Sequence, residues 1–389
     1  MLAFLLCLYT THAALLSVIE TCRHGARAPI DFYQWDQGYW NEGMGELTQE
    51  GMRQQFLNGA EFRSRYVNST SNIPGTYNAS QLYVRSTDVN RTIMSAESQM
   101  MGLFPTGPNI ASNMQYKAVP PFGSINFNTT IQGLGLEALP NAYQPVPIHV
   151  VAAPYDNMLY GYSSTSCPRM AEISSQVQNS ADYQFRVQNY TAYLGKQLYE
   201  IFNTPVSYEY AGWYGDVLIC DSFHGYSWPE GITEEMFQQM IGIMNYSNSY
   251  FYQNGGAQLA SSQFFSQIIN TFTGVINGTS TLKWSLYSAH DTTLIGFLYA
   301  MNQFSGNNPP FASTIVFELH SVLNNKYAVQ IIFNDEVLVL DGCTEMCDFD
   351  TFVQLMNAWI IPDVVAACQM TGEHDLRNLA YNPFMHGRS

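Results

Sequence analysis

The feature that most limits the fold of this chain is a pattern that occurs three times: an apolar run, then charged residues, then a helical segment. The runs are "ALLSVIETC" (Ala14 to Cys22), "QLYV" (Gln81 to Val84) and "LKWSLYS" (Leu282 to Ser288). Apolar, β-branched runs of this kind are typical of strands buried on both faces of a parallel sheet. The alternation with helical segments therefore predicts an α/β fold.

Charged side chains follow closely after each run. Arg23 and His24 follow the first, Arg85 the second, and His290 with Asp291 the third. Ligands of open α/β sheets bind outside the carboxyl ends of the strands. The helix N-termini expected behind two of these strands would add N–H groups and positive dipole ends. The pattern predicts a site for a dianion, most simply phosphate, whose oxygens arginine binds in pairs.

Each of these residues also has a structural interpretation. A lone histidine after a strand is more often structural than catalytic, and His290 with Asp291 could simply cap a helix. A lone arginine is usually a solvated or ion-paired surface group. The occurrence of all three groups at equivalent strand ends favours catalysis over these alternatives.

The composition limits the classes of partner. The chain has 389 residues, 46% of them hydrophobic, which is enough for one large α/β domain or for a domain with an insertion. Its formal net charge is -16, so neither nucleic acid nor an anionic membrane surface is an expected partner. An anionic substrate would need a local positive pocket to overcome this overall charge.

The ends of the chain indicate secretion. "MLAFLLCLYTTHA" resembles a leader, so residues 1–13 are interpreted as a signal peptide, with a buried first strand as the alternative. The C-terminal residues lack an apolar run of about 20 residues, so no membrane anchor is expected. Six candidate glycosylation sequons, which chance alone could partly supply, begin at Asn68, Asn78, Asn128, Asn189, Asn245 and Asn277. A seventh, at Asn90, is expected to stay unused.

Cysteine use agrees with an oxidising compartment. Without Cys7 in the leader, six cysteines remain: Cys22, Cys167, Cys220, Cys343, Cys347 and Cys368. Six cysteines permit 15 pairings, and the sequence alone does not choose between them. None of the spacings is that of a CxxC zinc pair, so a metal site is not expected.

Several blocks of sequence resemble the histidine acid phosphatase family, the acid-phosphatase and phytase branch of the histidine phosphatases. "RHGARAP" (Arg23 to Pro29) matches the family's RHGxRxP signature. "YVRSTDVNRTIMSA" and "YSAHDTT" are similar to its second and third blocks, and "ELTQEGMRQQF" and "PPFAS" to further segments. The blocks run in family order from about Leu15 to Cys368, and they are most similar to the prostatic and lysosomal members.

The resemblance implies a role for each matching residue. His24 would be the nucleophile that forms a phosphohistidine, and Asp291 would protonate the leaving group. Four side chains would bind the phosphate oxygens: Arg23, Arg27, Arg85 and His290. Because three arginines can neutralise the transferred group, no cofactor and no metal are expected. The arginine charges should also lower the pKa of His24 and keep it nucleophilic at acidic pH, so an acidic optimum is expected.

The resemblance also implies the fold and the disulfides. We expect a three-layer α/β/α sandwich with a mostly parallel central sheet, and a smaller, mainly helical cap domain inserted into it. The core would comprise residues 14–150 and 280–368, the cap 151–279, and a tail 369–389. Cys343 would pair with Cys347, and Cys167 with Cys368. The usual partner of Cys220 falls near Ser313–Thr314, where no cysteine stands, and Cys22 is interpreted as a core thiol.

The main functional hypothesis is a secreted or lysosomal acid phosphatase that hydrolyses phosphate monoesters. The alternatives are a phytase, a narrow lipid or inositol phosphate phosphatase, an inactive phosphate-binding homologue, and a mutase-like transferase. A phytase would favour more basic residues than the 15 present here, whereas an inactive homologue would be expected to lack His24 or Asp291. Small phosphomonoesters are the expected partners, while phosphoprotein substrates and a homodimer stay open.

Overall fold

The computed structural model describes residues 13–70, 72–122 and 124–369. The predicted leader, apart from its last residue, and the tail beyond residue 369 lie outside this part of the chain. Nearly the whole predicted core and cap are thus covered.

Eight strands form one mixed sheet in the described part of the chain. Their bounds are β1 (Ala14–Arg23), β2 (Leu82–Thr87), β3 (His149–Val151), β4 (Trp284–Ala289), β5 (Thr314–Val322), β6 (Lys326–Phe333), β7 (Glu336–Leu338) and β8 (Cys347–Asp348). The order is β3-β2-β4-β1-β5-β6-β7, with β8 paired to β6. β3, β2, β4 and β1 run parallel to one another, and the pairs from β1·β5 onward are antiparallel. The parallel half brings the carboxyl ends of β1, β2 and β4 to one edge.

Twelve α-helices accompany the sheet in the same described residues. They are α1 (Gln49–Phe62), α2 (Asn90–Leu103), α3 (Asn128–Leu134), α4 (Arg169–Gln178), α5 (Ala181–Ala192), α6 (Leu194–Phe202), α7 (Tyr208–His224), α8 (Glu234–Ser247), α9 (Gly256–Ile276), α10 (Asp291–Ala300), α11 (Phe349–Asn357) and α12 (Val364–Ala367). No helix of the described residues is long and apolar enough to span a bilayer.

Two hydrophobic clusters cover the two faces of the sheet. Side chains alternate along β1, so Val18 lies in one cluster and Ile19 in the other. Phe62 of α1 and Met100 of α2 pack with Val18, whereas Phe264 of α9 belongs to the cluster of Ile19. Helices therefore cover both faces, as the predicted α/β/α sandwich requires.

The chain between β3 and α9 is helical, as the sequence predicts. α4 to α6 lie within residues 169–202, inside the cap for which the resemblance implies mainly helical structure. α9 instead packs on the sheet, where the ring of Phe264 stacks on Phe297 of α10 at 4.2 Å between centroids. The domain boundaries drawn from the sequence stay a prediction.

Both disulfides implied by the resemblance are present. Cys167 is bonded to Cys368, which links the start of α4 to the end of α12, and Cys343 is bonded to Cys347. Cys22 and Cys220 are free and buried. The expected absence of a mate for Cys220 thus holds in the described chain.

Five of the six predicted glycosylation sites lie on exposed asparagines: Asn68, Asn78, Asn128, Asn189 and Asn277. The prediction for Asn245 is wrong for the folded protein, because this residue of α8 is only 8% exposed. Its amide donates to Asn307 Oδ1 and accepts from the backbone N–H of Asn308, each at 3.2 Å. A glycan there would break this packing.

Glu20 is a buried acid in the middle of β1, between Val18 and Cys22 on the same face. Its two carboxyl oxygens accept from the Gln99 amide at 2.7 Å. Burial raises the pKa of Glu20 from 4.5 to about 8, although the Gln99 hydrogen bond acts in the opposite direction. The core of the sheet therefore contains a carboxyl group that is neutral at acidic pH.

This shift predicts a loss of stability towards alkaline pH. Below pH 4.5 Glu20 is protonated in both states; as the pH rises towards 8 only the unfolded chain ionises, which favours unfolding. Glu20→Gln should differ little from the wild type at pH 4.5 and exceed its free energy of unfolding by roughly 4 kcal/mol at about pH 8. Urea unfolding at the two pH values measures this difference.

Glu336→Gln on the exposed strand β7 is the control for removing one charge. It should leave the difference in stability between the two pH values as it is in the wild type. Equal behaviour of the two variants would show that Glu20 is not the source of the pH dependence.

Candidate active site

β1 and β4 bring the two predicted histidines together. The strands are parallel neighbours with Arg23 opposite Ala289, and the His24 N–H donates to the Ala289 carbonyl at 3.0 Å. The chain leaves β4 through His290 into α10. The two imidazole rings consequently lie 5.6 Å apart between centroids, both buried.

The segment after His24 packs unusually closely against the start of α1. A Cβ atom on Gly25 would lie 2.3 Å from the Gly51 carbonyl oxygen, and one on Gly51 would lie 2.1 Å from that of Ala26. Side chains at these positions would force the two segments apart. The Gly25 N–H also donates to Ser95 Oγ of α2 at 3.1 Å, so two helices fix the backbone that carries His24.

Arg23 and Arg27 are buried and ion-paired. Arg23 Nη2 lies 2.9 Å from Asp291 Oδ2, and its Nη1 donates to the Pro309 carbonyl at 2.6 Å. Arg27 donates twice to Asp216 of α7, at 3.0 and 2.8 Å. Burial acts to raise the pKa of Asp216, but Arg27 outweighs it and holds that pKa below its ordinary value. The two arginines are thus held in place by carboxylates.

A third buried arginine, Arg91, completes the cluster. It lies in the first turn of α2 and donates to the Gly45 carbonyl at 3.4 Å through Nη1. Its Nη2 is 3.5 Å from Nδ1 of His290. Arg91 is also the strongest charged influence on both His24 and His290. It therefore belongs to the same group as Arg23 and Arg27.

These three arginines share one chemical feature. The Nε–H of Arg23, Arg27 and Arg91, like that of Arg85, is buried and has no hydrogen-bond partner among the described residues. Buried donors in native proteins nearly always have an acceptor. A phosphate group, with several oxygens and two negative charges, can accept from all three guanidinium groups, so the donor set fits this ligand.

The prediction that Arg85 binds phosphate is not supported by the structure. The expected strand ended at Val84, but β2 continues to Thr87, so Arg85 lies inside the strand. Arg85 Nη2 pairs with buried Asp156 at 2.5 Å, and no described contact joins it to His24 or His290. Because β2 extends to Thr87, Arg91 rather than Arg85 lies beside the two histidines.

The hydrogen bonds of His24 fix which nitrogen can react. Nδ1 lies 2.8 Å from the Gly25 carbonyl oxygen, which can only accept, so Nδ1 carries the proton. Nε2 then bears a lone pair. Burial, followed by the charges of Arg91, Arg23 and Arg27, lowers the pKa of His24 well below 6.5. The ring is therefore neutral and nucleophilic in acidic medium.

His290 has the opposite arrangement. The Arg91 guanidinium can only donate, so Nδ1 of His290 accepts from it, and Nε2 donates to Thr87 Oγ1 at 3.0 Å. Burial and then the charges of Arg91, Arg27 and Arg23 lower the pKa of His290 well below 6.5. Both imidazoles are thus neutral bases in a field of arginines.

Three residues of this site are absent from the sequence-based set: Thr87, Arg91 and Asp216. Thr87 and Arg91 lie in the block "YVRSTDVNRT", where a longer strand and an arginine in the first helical turn could have been considered. Asp216 lies far away in the sequence, on α7, and no local signal marks it.

A scan of family models matches residues 14–334 to branch 2 of the histidine phosphatase superfamily. Among curated proteins, the lysosomal acid phosphatase of Xenopus laevis is 29% identical over 90% of this chain and 77% of its own length. The prostatic acid phosphatase of Homo sapiens is 30% identical over 90% of this chain and 87% of its own length.

Solved structures show the same fold. The phytase of Citrobacter braakii superposes with a TM-score of 0.64 at 15% identity, over 90% of this chain and 99% of that one. The phytase of Hafnia alvei in complex with tartrate also gives 0.64, at 15% identity, over 92% and 99%. At this identity the likeness concerns the fold alone. The family model spans most of the chain and includes the paired histidines at the sheet edge. The protein therefore belongs to branch 2 of the histidine phosphatase superfamily.

Proposed function

We propose that the protein is an acid phosphatase which hydrolyses phosphate monoesters through a phosphohistidine on His24. The observation that carries the proposal is the state of this ring: buried, neutral, with a free Nε2 lone pair beside three arginines whose Nε–H groups lack a partner in the described chain. The acid phosphatase relatives support the same reaction.

In the first step, His24 Nε2 attacks phosphorus and the bond to the ester oxygen breaks. The oxygen takes a proton from Asp291, so the products are an alcohol and phosphohistidine. In the enzyme without substrate, the Asp291 carboxylate is paired with the Arg23 guanidinium at 2.9 Å. A substrate dianion competes for this guanidinium, which separates Asp291 from its cationic partner and leaves its carboxyl group available to the ester oxygen.

In the second step, water attacks phosphorus as Asp291 takes a proton from it, and the P–N bond breaks. Phosphate leaves and His24 is restored. Charge on the transferred group is offset by Arg23, Arg27 and Arg91 throughout. A bound dianion also offsets the arginine charges around His290, which raises its pKa and lets its Nδ1 carry a proton and donate to phosphate.

We further propose a lysosomal or secreted location, in keeping with the names of the lysosomal and prostatic relatives. Its substrates would be small phosphomonoesters. A phytase activity is the weaker candidate, because the chain has 15 basic residues in all and phytate carries many negative charges.

Replacement of the two reacting groups should affect different quantities. His24→Ala should lower kcat/KM for p-nitrophenyl phosphate by about a thousandfold or more, because the nucleophile is lost. Asp291→Asn should lower kcat/KM for glycerol 2-phosphate at least about tenfold more than for p-nitrophenyl phosphate, because nitrophenolate leaves without a proton. Steady-state kinetics at about pH 5 measures both.

Equal activity of His24→Ala and the wild type would exclude the hypothesis that the protein is a phosphatase acting through His24. A loss in Asp291→Asn that is the same for both esters would assign Asp291 to phosphate positioning rather than proton transfer.

The assignment of Arg91 rather than Arg85 to the phosphate site gives a second prediction. Arg91→Ala should lower kcat/KM by about a hundredfold, since one donor to the transferred group is lost. The double variant Arg85→Met with Asp156→Asn removes the ion pair without leaving a buried charge, and it should keep activity within about fivefold. Thermal unfolding checks that both variants fold.

If the double variant folds but loses as much activity as Arg91→Ala, then Arg85 is a phosphate-binding residue after all.

The pH dependence follows from the shifted pKa of His24. Protonation of this ring stops attack, and because its pKa lies well below 6.5, kcat/KM should stay high at about pH 5 and fall only at lower pH. Arg91→Ala removes the strongest charged cause and should move this acidic limb to higher pH. An acidic limb that does not move would exclude control of His24 by Arg91.

A further inference from the structure

A cavity of about 330 Å³ lies next to the arginine cluster, between the helical insertion and the loop before β5. α7 contributes Ile219 and Phe223 to its lining, α8 contributes Met244, and the loop contributes Asn308 and Phe311. This volume is in the range of small-molecule sites.

The cavity borders the arginine cluster through Arg23 and a carboxylate neighbour. Arg23 and Asp216 both line it. Arg23 is bound to Asp291 at 2.9 Å, and its guanidinium lies 4.3 Å from the centre of the Phe311 ring. Asp291, which would protonate the leaving oxygen, is thus joined to the cavity wall through the Arg23 ion pair, and an ester whose phosphate binds Arg23 would place its alcohol part next to the cavity.

The wall of the cavity is largely apolar. The rings of Phe223 and Phe311 meet edge to face, 5.7 Å apart between centroids, and Phe223 is 42% exposed. Arg23 and Asp216 are the charged residues of its described lining, and both already have ion-pair partners. An aromatic or aliphatic group would bury this surface favourably, whereas a polyol with further phosphates would find no free cation.

Asn308 supplies a polar group to this lining. Both atoms of its side-chain amide are buried and have no hydrogen-bond partner in the described chain. The neighbouring Asn245 and Asn307 amides are paired with each other, and Asn245 also accepts from the Asn308 backbone. An unpaired donor beside an unpaired acceptor is costly, and a ligand that offers the complementary pair removes this cost.

We propose that this cavity holds the alcohol part of the substrate and selects phenols and similar apolar alcohols whose far end carries a carboxamide-like group. The proposal rests on the proposed phosphatase function and adds its leaving-group specificity. Phe223 and Phe311 contact the apolar part, and Asn308 exchanges two hydrogen bonds with the amide-like group. Polyol phosphates are the disfavoured class.

Three esters test the proposal: phenyl phosphate, 4-carbamoylphenyl phosphate and glycerol 2-phosphate. The wild type should prefer the carbamoyl ester over phenyl phosphate by about tenfold in kcat/KM, and Asn308→Leu should remove this preference while keeping phenyl phosphate hydrolysis. Phe223→Ala should raise KM for both aryl esters about tenfold and leave glycerol 2-phosphate within about twofold.

Phe185→Ala is the matched control, because Phe185 is a 65% exposed phenylalanine on another helix of the insertion, α5. It should change none of the three esters. An unchanged carbamoyl preference in Asn308→Leu, or an equal loss on all esters in Phe223→Ala, would overturn the proposal.

Binding separates this proposal from the phosphatase reaction itself. Calorimetry with 4-carbamoylbenzylphosphonate, which cannot be hydrolysed, should show weaker binding to Asn308→Leu and to Phe223→Ala than to the wild type. If the protein shows this binding pattern but hydrolyses none of the esters, only the catalytic proposal is overturned. Equal binding by the wild type and both variants would overturn the cavity proposal, whatever the activity.

Discussion

The structure depends on the burial of three guanidinium groups around two neutral imidazoles. Burying a charge is strongly unfavourable unless it is paired, and Arg23 and Arg27 are paired with Asp291 and Asp216. Arg91 has no carboxylate among its described contacts and donates to a carbonyl and to His290 instead. A chain with a net charge of -16 thereby keeps a positive pocket in its interior. The same charges hold both histidines in their neutral form.

The helical insertion is part of this charge balance. Asp216 lies on α7, 189 positions from Arg27, and binds it through both carboxylate oxygens. Without α7, Arg27 would be a buried charge without its partner. α7 and α8 also form one side of the cavity beside Arg23. The insertion therefore completes the phosphate pocket as well as covering it, and the sheet alone carries an incomplete site.

The sequence predicts the parts of the site that depend on strand ends and fails where distant segments meet. His24, His290 and Asp291 directly follow β1 and β4, whose apolar runs are unmistakable, so their convergence follows from parallel pairing. Arg85 was misassigned because β2 continues past it to Thr87, and strand ends are poorly marked when the following residues are polar. Asp216 could not be predicted, since its role is set by tertiary packing. The failure at Asn245 has the same cause, because a sequon carries no information on burial.

The buried acids and the buried nucleophilic histidine are all uncharged over one range of pH. Burial raises the pKa of Glu20 to about 8, and it does the same for Asp221 of α7, where Asp36 adds repulsion. Burial also lowers the pKa of His24 well below 6.5. Desolvation disfavours the charged form in each case, so acids and bases shift in opposite directions and both are neutral over the interval between. Within this interval Glu20, Asp221 and His24 add no charge to the interior, and the arginines with their carboxylate partners remain. The same desolvation affects stability in two directions: the raised pKa values of Glu20 and Asp221 cost stability as the pH rises, whereas the lowered pKa of His24 costs stability as the pH falls below 6.5.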